Sequence, residues 1–294
     1  MTIEREMKAI TPATREQITR ILEKLVDAVV RKQKGSKVPP FETASQYLEL
    51  KSEDSRLKPF HYALIPEINL QGGAILQPMQ LSEFERGLST RLGNSFEECA
   101  RLIALDHHRE SRRGCTLRAE VSAAAVNELE RQVAFFDSAA KEGEPRSPFG
   151  QMIQSVLNAR QENDLKELVV KVDLYILTKD GKELYFEIKS PKPNKGQCIE
   201  VTQRLLRFHL LRGKPQPEVF AHYAMAYNPY GKLRSDYSYG IAMNYTPFEE
   251  VVLIGHEFWD MVGGPTTLEE LLGVFHEVGI AKNKDIIDSF TFEF

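Results

Sequence analysis

The sequence predicts an α/β fold in which a mixed β-sheet core is flanked by helices. Three observations support this class: a β-hairpin pattern at residues 171–189, a helix pattern directly after it, and apolar strand-like runs at residues 219–227 and 251–254. Strand and helix patterns that follow each other in this way are typical of sheets that pack against helices. The 294 residues suffice for one large domain or two small ones.

The first half of the chain is predicted to be largely helical. Capping boxes, with Ser or Thr three residues before Gln or Glu, are typical of helix starts. The sequence has Thr14 with Gln17, Ser82 with Glu85, and Ser95 with Glu98. Gly93 is expected to end the helix that Ser82 begins, and a further helix is expected over about residues 120–140. The polar segment 141–148 divides a mostly helical region, residues 1–147, from a sheet-containing core, residues 148–294, and we expect both to form one compact unit.

The hairpin pattern predicts a register in which Asp173 lies opposite Glu187. Lys179 and Asp180 are expected to form a type I turn, and Gly181 takes the left-handed position of a G1 bulge, which gives a three-residue loop. A two-residue loop would shift the pairing by one residue and place the two carboxylates on opposite faces of the sheet.

The hydrophobic pattern favours the three-residue loop, because that register separates an apolar face from a polar one. The apolar face, expected against the core, carries Val170, Val172, Leu174, Ile176, Leu184, Phe186 and Ile188. The polar face carries Lys171, Asp173, Tyr175, Glu183, Tyr185, Glu187 and Lys189. Opposed residues on one face have Cβ atoms roughly 5 Å apart, so Asp173 and Glu187 would repel each other unless a cation lies between them.

Asp173, Glu187 and Lys189 form a pattern that can bind a divalent metal beside an activated water. Carboxylate oxygens suit Mg²⁺, and the lysine would orient the water and offset developing negative charge. We expect Asp173, Glu187 and the intervening Ile188 to form the metal site. The alternative is a solvated strand face with ordinary surface charges, since an acid followed by Glu-x-Lys arises by chance in many charged strands.

A basic segment follows the hairpin. Residues 189–214 contain seven basic residues and one acidic residue, Glu200, whereas the whole chain has a net charge of −4. Pro and Gly at residues 191–196 predict a loop, and a helix is expected over about residues 197–211. Arg204, Arg207 and Arg212 fall close to one stripe of this helix. A basic stripe beside a metal site is what a polyphosphate substrate requires, although a solvated helix face is the alternative.

The chain resembles the PD-(D/E)xK nucleases, with Asp173, Glu187 and Lys189 as the signature and Val172 in place of the first Pro. More specifically, it resembles the TdeIII-type group of type II restriction endonucleases. The matching stretches are FERGLSTRLG at residues 84–93, EIKSPKPNK at 187–195, AYNPYG at 226–231 and VLIGHEFWD at 252–260. This resemblance implies a restriction-endonuclease-like catalytic core and Mg²⁺-dependent cleavage of double-stranded DNA at a short GG…CC-like palindrome.

The resemblance also implies roles for further residues. Glu85 is a candidate fourth catalytic residue, although the capping box with Ser82 explains it equally well. Apart from the resemblance, the basic segment supplies the expected DNA contacts Lys192, Lys195, Gln197, Arg204 and Arg207. A predicted recognition segment, residues 228–234, adds Asn228, Lys232 and Arg234, since Asn and Arg are residue types that read adenine and guanine edges. A palindromic site is most simply read by a homodimer, and a cognate DNA methyltransferase is expected as a genetic partner.

Bulk composition is compatible with this function and excludes little else. Three cysteines without metal-ligand spacing indicate a reducing compartment, and no signal-peptide or membrane-spanning pattern is present, so we expect a cytoplasmic protein. Two other functions stay open: a DNA repair or recombination nuclease with the same metal site, and a non-catalytic DNA-binding module. The intact Asp173, Glu187 and Lys189 set argues against the second of these.

Overall fold

A computed structural model describes residues 8–34, 78–212 and 218–288, with side chains for residues 8–32, 91–212 and 218–285. These parts of the chain form a five-stranded mixed β-sheet flanked by helices, so the predicted fold class is confirmed. The strands are β1 (Glu110–Ser122), β2 (Leu165–Leu177), β3 (Glu183–Ile188), β4 (Val219–Met225) and β5 (Val252–Ile254). The longer helices are α1 (Pro12–Lys34), α2 (Pro78–His107), α3 (Ala123–Glu142), α4 (Phe149–Asn158) and α5 (Lys195–Arg212). The remaining helices are α6 (Gly240–Tyr245), α7 (Phe248–Val251), α8 (His256–Gly263) and α9 (Thr267–Asp288).

The strands lie in the order β1-β2-β3-β4-β5, with β3 in the centre. β1, β2 and β3 pair antiparallel, whereas β3, β4 and β5 pair parallel. The parallel step from β3 to β4 needs a crossover connection, which α5 provides. All six residues of β3 are buried, as expected for a central strand that is covered on both faces.

The hairpin has the predicted register. Leu174 pairs with Phe186 and Tyr175 with Tyr185, which places Asp173 opposite Glu187 by extension. The loop has three residues and ends at a glycine in the left-handed region, since Gly181 has φ +88°. Leu174 and Phe186 are fully buried, which confirms that the apolar face lies against a core.

The structure corrects three local predictions. First, residues 110–122 form the edge strand β1, which the sequence did not predict. The helix expected from about residue 120 starts instead at Ala123, and the Ser122 side chain caps it by accepting a hydrogen bond from the Ala125 amide. Second, α2 is one continuous helix, so Ser82 and Ser95 lie inside it, and the Ser95 hydroxyl donates to the Arg91 carbonyl. Third, α1 begins at Pro12, so Thr14 lies inside its first turn, and the Thr11 hydroxyl accepts from the Thr14 amide.

The chain folds into two compact units. One comprises Met1–Asp106 with Trp259–Phe294, and the other comprises His107–Phe258. In the first unit, Glu270 of α9 accepts the Ala9 and Ile10 amides ahead of α1. The second unit holds the five-stranded sheet, including β1, together with α3, which the sequence had placed before the expected boundary at residue 147.

The core of the sheet-containing unit includes one face of α5. Val201, Leu205 and Phe208 of this helix are fully or almost fully buried in the same cluster as Tyr185 and Tyr223 of the sheet. The Tyr185 and Phe208 rings stack with their centroids 5.4 Å apart. Burial of side chains of this size stabilises a fold by about 1.5–3 kcal/mol each, so α5 is held firmly over the polar side of the hairpin.

Candidate active site

The hairpin brings Asp173, Glu187 and Lys189 together. The Lys189 ammonium lies 2.6 Å from Glu187 Oε1 and 3.2 Å from Asp173 Oδ2, so it bridges the two carboxylates. The Ile188 amide donates to Asp173 Oδ2 at 2.9 Å, which fixes that carboxylate against the neighbouring strand. The three side chains therefore form one ionic cluster at the end of β3.

Glu187 is the most buried member of this cluster, with 0% of its side chain exposed. Burial raises the pKa of the Glu187 carboxyl, and the nearby Asp173 charge raises it further, while Lys189 and Arg204 act in the opposite direction. The Lys189 pKa is itself raised: burial lowers it, but the two carboxylates outweigh burial. A fully buried carboxylate between cations is not a solvated surface charge, so the alternative of an ordinary strand face is wrong for Glu187.

One oxygen of Glu187 has no hydrogen-bond partner within the described residues. Oε1 receives Lys189 and Arg204, whereas the buried Oε2 has no hydrogen-bond donor among the described residues. A buried acceptor without a donor costs roughly 1–3 kcal/mol. Such an atom is suited to a ligand that carries positive charge.

The carboxylates fit a divalent metal in their chemistry, though they supply only part of a coordination shell. Within the described residues, no group of three or more His, Cys, Asp or Glu side chains lies close enough to hold a metal ion. Asp173 and Glu187 contribute hard carboxylate oxygens, and Mg²⁺ usually takes only one or two carboxylates, with water and substrate phosphate as its other ligands. The orphaned Oε2 atom of Glu187 supports this fit.

Arg204 and Arg212 of α5 point at the sheet. Arg204 donates to Glu187 Oε1 at 2.9 Å and to Glu200 Oε1 at 2.8 Å. Arg212 forms a two-pronged ion pair with Glu183, with Nε 2.8 Å from Oε2. The stripe predicted to contact nucleic acid is therefore divided, because two of its three arginines bind the glutamates at the two ends of β3.

Arg207 is the member of the stripe that remains available. It is half-buried and has no hydrogen bond, ion pair or ring contact within the described parts of the chain. Its charge is therefore not neutralised by any described residue.

The predicted DNA contacts near the start of α5 have structural roles. Gln197 and Asn194 form a capping box in which each side chain accepts the other residue's amide at 2.9 Å. Lys195 pairs with Asp137 of α3 at 2.8 Å and lies over the Tyr245 ring. Lys192 lies over the Tyr230 ring, 5.1 Å from its centroid. These contacts set the conformation of the loop that follows Lys189.

In the predicted recognition segment, residues 228–234, two of the predicted DNA contacts also bind within the protein and one does not. The Asn228 amide group donates to the Leu233 carbonyl at 2.7 Å and accepts from the Tyr230 amide at 3.0 Å. Arg234 donates to the main-chain carbonyls of Phe248 and Val252, and to the carboxylates of Glu249 and Glu257. Lys232, in contrast, is exposed and has no hydrogen bond, ion pair or ring contact within the described residues.

Glu85 lies within α2, but its side chain is outside the described residues. Because Ser82 is interior to the helix, the capping-box explanation for Glu85 is removed.

Two tyrosines that the sequence did not assign to the site hold the loop after Lys189. The Tyr223 hydroxyl donates to the Ser190 carbonyl at 3.1 Å, and the Tyr237 hydroxyl donates to the Pro191 carbonyl at 2.5 Å. The only signal in the sequence was the density of tyrosines around residue 230, which is more often a sign of packing.

No helix in the described residues is long and apolar enough to cross a membrane.

Comparison with known proteins finds related sequences over nearly the whole chain. A family model described as "Type II restriction endonuclease, HinfI" matches residues 14–279. The chain is 41% identical over 278 residues to the type II restriction enzyme HgiEI of Herpetosiphon aurantiacus. This alignment covers 95% of this chain and 97% of that enzyme. It is also 41% identical to HgiBI and 39% identical to HgiCII from the same organism, again over 95% of the chain.

Proposed function

Because the chain belongs to the HinfI family of type II restriction endonucleases, which are site-specific DNA endonucleases, we propose that it hydrolyses DNA with Mg²⁺ at the Asp173, Glu187 and Lys189 cluster. The observation that carries this proposal is the buried Glu187, which shares Lys189 with Asp173 and has one oxygen without a donor among the described residues. A repair or recombination nuclease has no observation in its favour, since the relatives are restriction enzymes over almost their full length.

Each residue of the cluster has a distinct task in this proposal. Asp173 and Glu187 would hold the metal through carboxylate oxygens, and Ile188 would contribute through its backbone carbonyl, because its side chain is apolar. A bound Mg²⁺ would polarise the scissile phosphate and lower the pKa of an attacking water. Lys189, whose ammonium lies within ion-pair distance of both carboxylates, would orient the attacking water and offset negative charge at phosphorus. Glu85 is a proposed third acidic residue and fourth catalytic residue, on the basis of the resemblance at residues 84–93.

The finer assignments rest on the sequence motifs. The stretches at residues 84–93, 187–195, 226–231 and 252–260 support the TdeIII-type group and, with it, a short GG…CC-like palindrome as the target. Among the predicted DNA contacts, Arg207 and Lys232 carry charge that no described residue neutralises. We assign phosphate contacts to these two residues first, and Lys192 and Lys195 would join them only by leaving their present partners.

The assembly we propose is a homodimer on double-stranded DNA. A palindrome presents the same half-site to each subunit of a two-fold pair, and each subunit supplies one cluster for one strand. Such an enzyme needs a cognate methyltransferase to protect the host genome, and it acts in the cytoplasm, where that DNA lies. The three free cysteines are in keeping with a reducing compartment.

The decisive experiment compares two glutamates of the same strand. Glu187→Gln should abolish Mg²⁺-dependent cleavage of a supercoiled plasmid, and so should Asp173→Asn and Lys189→Ala. Glu183→Gln is the matched control: it removes a buried charge from the other end of β3, so it should lower the melting temperature while cleavage persists. If Glu187→Gln, Asp173→Asn or Lys189→Ala cuts at a rate near that of the wild type, the site assignment is wrong.

A further inference from the structure

The loop at residues 228–237 is an internally braced projection. Besides the contacts of Asn228, the Leu233 amide donates to Asp236 Oδ2 at 2.9 Å, and the Asp236 amide donates back to the Leu233 carbonyl at 3.1 Å. Gly231 packs so closely against the Asp236 side chain that a Cβ atom there would clash. The carboxylate of Asp236 is thus used inside the loop, and the backbone of the tip has one well-defined path.

Arg234 anchors this projection to the sheet-containing unit. Its guanidinium donates at 2.9 Å to the carbonyls of Phe248 and Val252, and at 2.8 Å to Glu257. It also lies over the Phe248 ring, 4.8 Å from the centroid. With Glu249 as a further acceptor at 3.2 Å, all five N–H donors of the side chain have partners. Arg234 is therefore committed to holding the loop and has no free donor for a base.

The same loop is fastened to the segment that follows Lys189. Tyr237 donates to the Pro191 carbonyl, and Lys192 lies over Tyr230. The Tyr230 and Tyr237 rings meet edge to face, with their centroids 5.6 Å apart. Two residues after Lys189, the chain is thus in direct contact with the braced loop.

The tip of this rigid loop carries an exposed pair, Lys232 and Leu233. Leu233 is 66% exposed, the largest fraction among the large apolar side chains of the described residues. Lys232 is exposed and has no partner in the described part of the chain. A single exposed leucine needs no explanation by itself. Here it stands beside a free cation, on a backbone fixed at both ends, next to the proposed catalytic segment.

We propose that Lys232 and Leu233 form a DNA-contacting tip, in which Leu233 makes an apolar contact with a base in the groove and Lys232 binds a phosphate. The inference rests on the proposed DNA cleavage and refines it, because the base-reading role moves from Asn228 and Arg234 to a leucine. Apolar side chains read thymine methyl groups or wedge into base steps, and a lysine beside them holds the backbone in register. Because Tyr237 donates to the Pro191 carbonyl and Lys192 lies over Tyr230, the loop that carries this tip touches the segment directly after Lys189.

The test measures binding without Mg²⁺ on two duplexes of equal length. One carries the site that the wild-type enzyme cuts with Mg²⁺, mapped by sequencing the cut ends, and the other lacks it. The variants are Leu233→Ala, Leu233→Met and Lys232→Ala, with Leu165→Ala as the control, since Leu165 of β2 is also an exposed leucine (48%). Melting temperatures should stay unchanged, because all these side chains lie at the surface.

Leu233→Ala should weaken binding to the cut duplex by about 5- to 150-fold, with unchanged binding to the other duplex and unchanged salt dependence. Leu233→Met, which preserves the apolar volume, should bind within about threefold of the wild type. Lys232→Ala should weaken binding to both duplexes and lower the salt slope by about 0.9. If Leu233→Ala behaves like Leu165→Ala, or weakens both duplexes equally, the inference is overturned. A wild-type enzyme that cuts no duplex would instead refute the proposed function itself.

Discussion

Arg204 and Arg207 lie three residues apart on α5, yet the structure predicts opposite effects when each is changed to Gln. Arg204 is bound to Glu187 and Glu200, whereas Arg207 has no partner among the described residues. The sequence alone predicted that both would contact phosphates. The structure leads us to expect that only Arg207 does so.

The size of the difference follows from counterion release. Each phosphate that a cation neutralises contributes about 0.9 to the slope of log binding constant against log salt concentration. Loss of the Arg207 contact should lower the slope by that amount, which corresponds to about a 3.5-fold smaller change in affinity between 50 and 200 mM salt. Arg204→Gln should leave the slope unchanged, because its charge is already neutralised by two carboxylates at 2.9 and 2.8 Å.

The cleavage rate should show the opposite pattern, with a loss in Arg204→Gln and none in Arg207→Gln. Without Arg204, Glu187 loses one of the two cations on Oε1, so its buried carboxylate is no longer fixed beside Asp173. We expect the single-turnover rate at saturating DNA and Mg²⁺ to fall by about 10- to 100-fold, as is common when the partner of a metal ligand is removed. Arg207→Gln should retain that rate once DNA is saturating. Fluorescence anisotropy over a salt series and quenched-flow cleavage measure the two quantities. Equal losses of slope in both variants would refute the assignment of Arg204.

Three further predictions concern stability and assembly. His209 and His222 are neutral in the folded protein, because burial lowers the pKa of each to about 4, against 6.5 ordinarily. Between pH 6.5 and 4 the unfolded chain therefore binds more protons than the folded protein. The free energy of unfolding, which has its full value above pH 6.5, should fall as the pH drops through this window by up to about 3 kcal/mol per histidine. A His209→Gln variant with an unchanged pH profile of unfolding would contradict this. Arg234→Lys should lower the free energy of unfolding by about 1–3 kcal/mol, because buried acceptors lose their donors, while Lys232→Ala should leave the melting temperature unchanged. Sedimentation with a cognate duplex should show two chains per duplex; one chain per duplex, with nicked intermediates during digestion, would exclude the homodimer.

The hairpin register could be predicted from the sequence because local rules alone decide it. The turn at Gly181 and the period-2 pattern both select the same pairing, and a slip of one residue would expose a whole apolar face. The observed pairing of Leu174 with Phe186 confirms that reasoning. The presence of α5 was predictable for similar reasons, since Pro and Gly before it and a buried stripe within it are both local signals.

The predictions of secondary structure from the sequence fail where tertiary contacts outweigh local signals. Gly93 does not end a helix, because Leu92, Phe96 and Ile103 bury a continuous stripe on both sides of it, and an interior glycine costs only about 1 kcal/mol. The edge strand β1 was missed because its exposed face is charged, although Cys115 and Leu117 alternate with exposed residues. The pairing of Arg204 with Glu187 could not be predicted, because the sequence does not determine which face of α5 packs against the sheet.

Two buried glutamates of β3, Glu183 and Glu187, differ in how the protein satisfies their oxygens. Both Glu183 and Glu187 are buried and both receive an arginine from α5. Glu183 has both oxygens satisfied, because Arg212 binds both and the Tyr185 hydroxyl donates to Oε2 at 2.7 Å. Glu187 instead has two cations on one oxygen and, within the described parts of the chain, no donor on the other. A carboxylate kept for stability alone would gain from a donor at that position, as Glu183 does from Tyr185. The absence of a donor at Glu187 Oε2 among the described residues therefore supports the proposed metal site at this carboxylate.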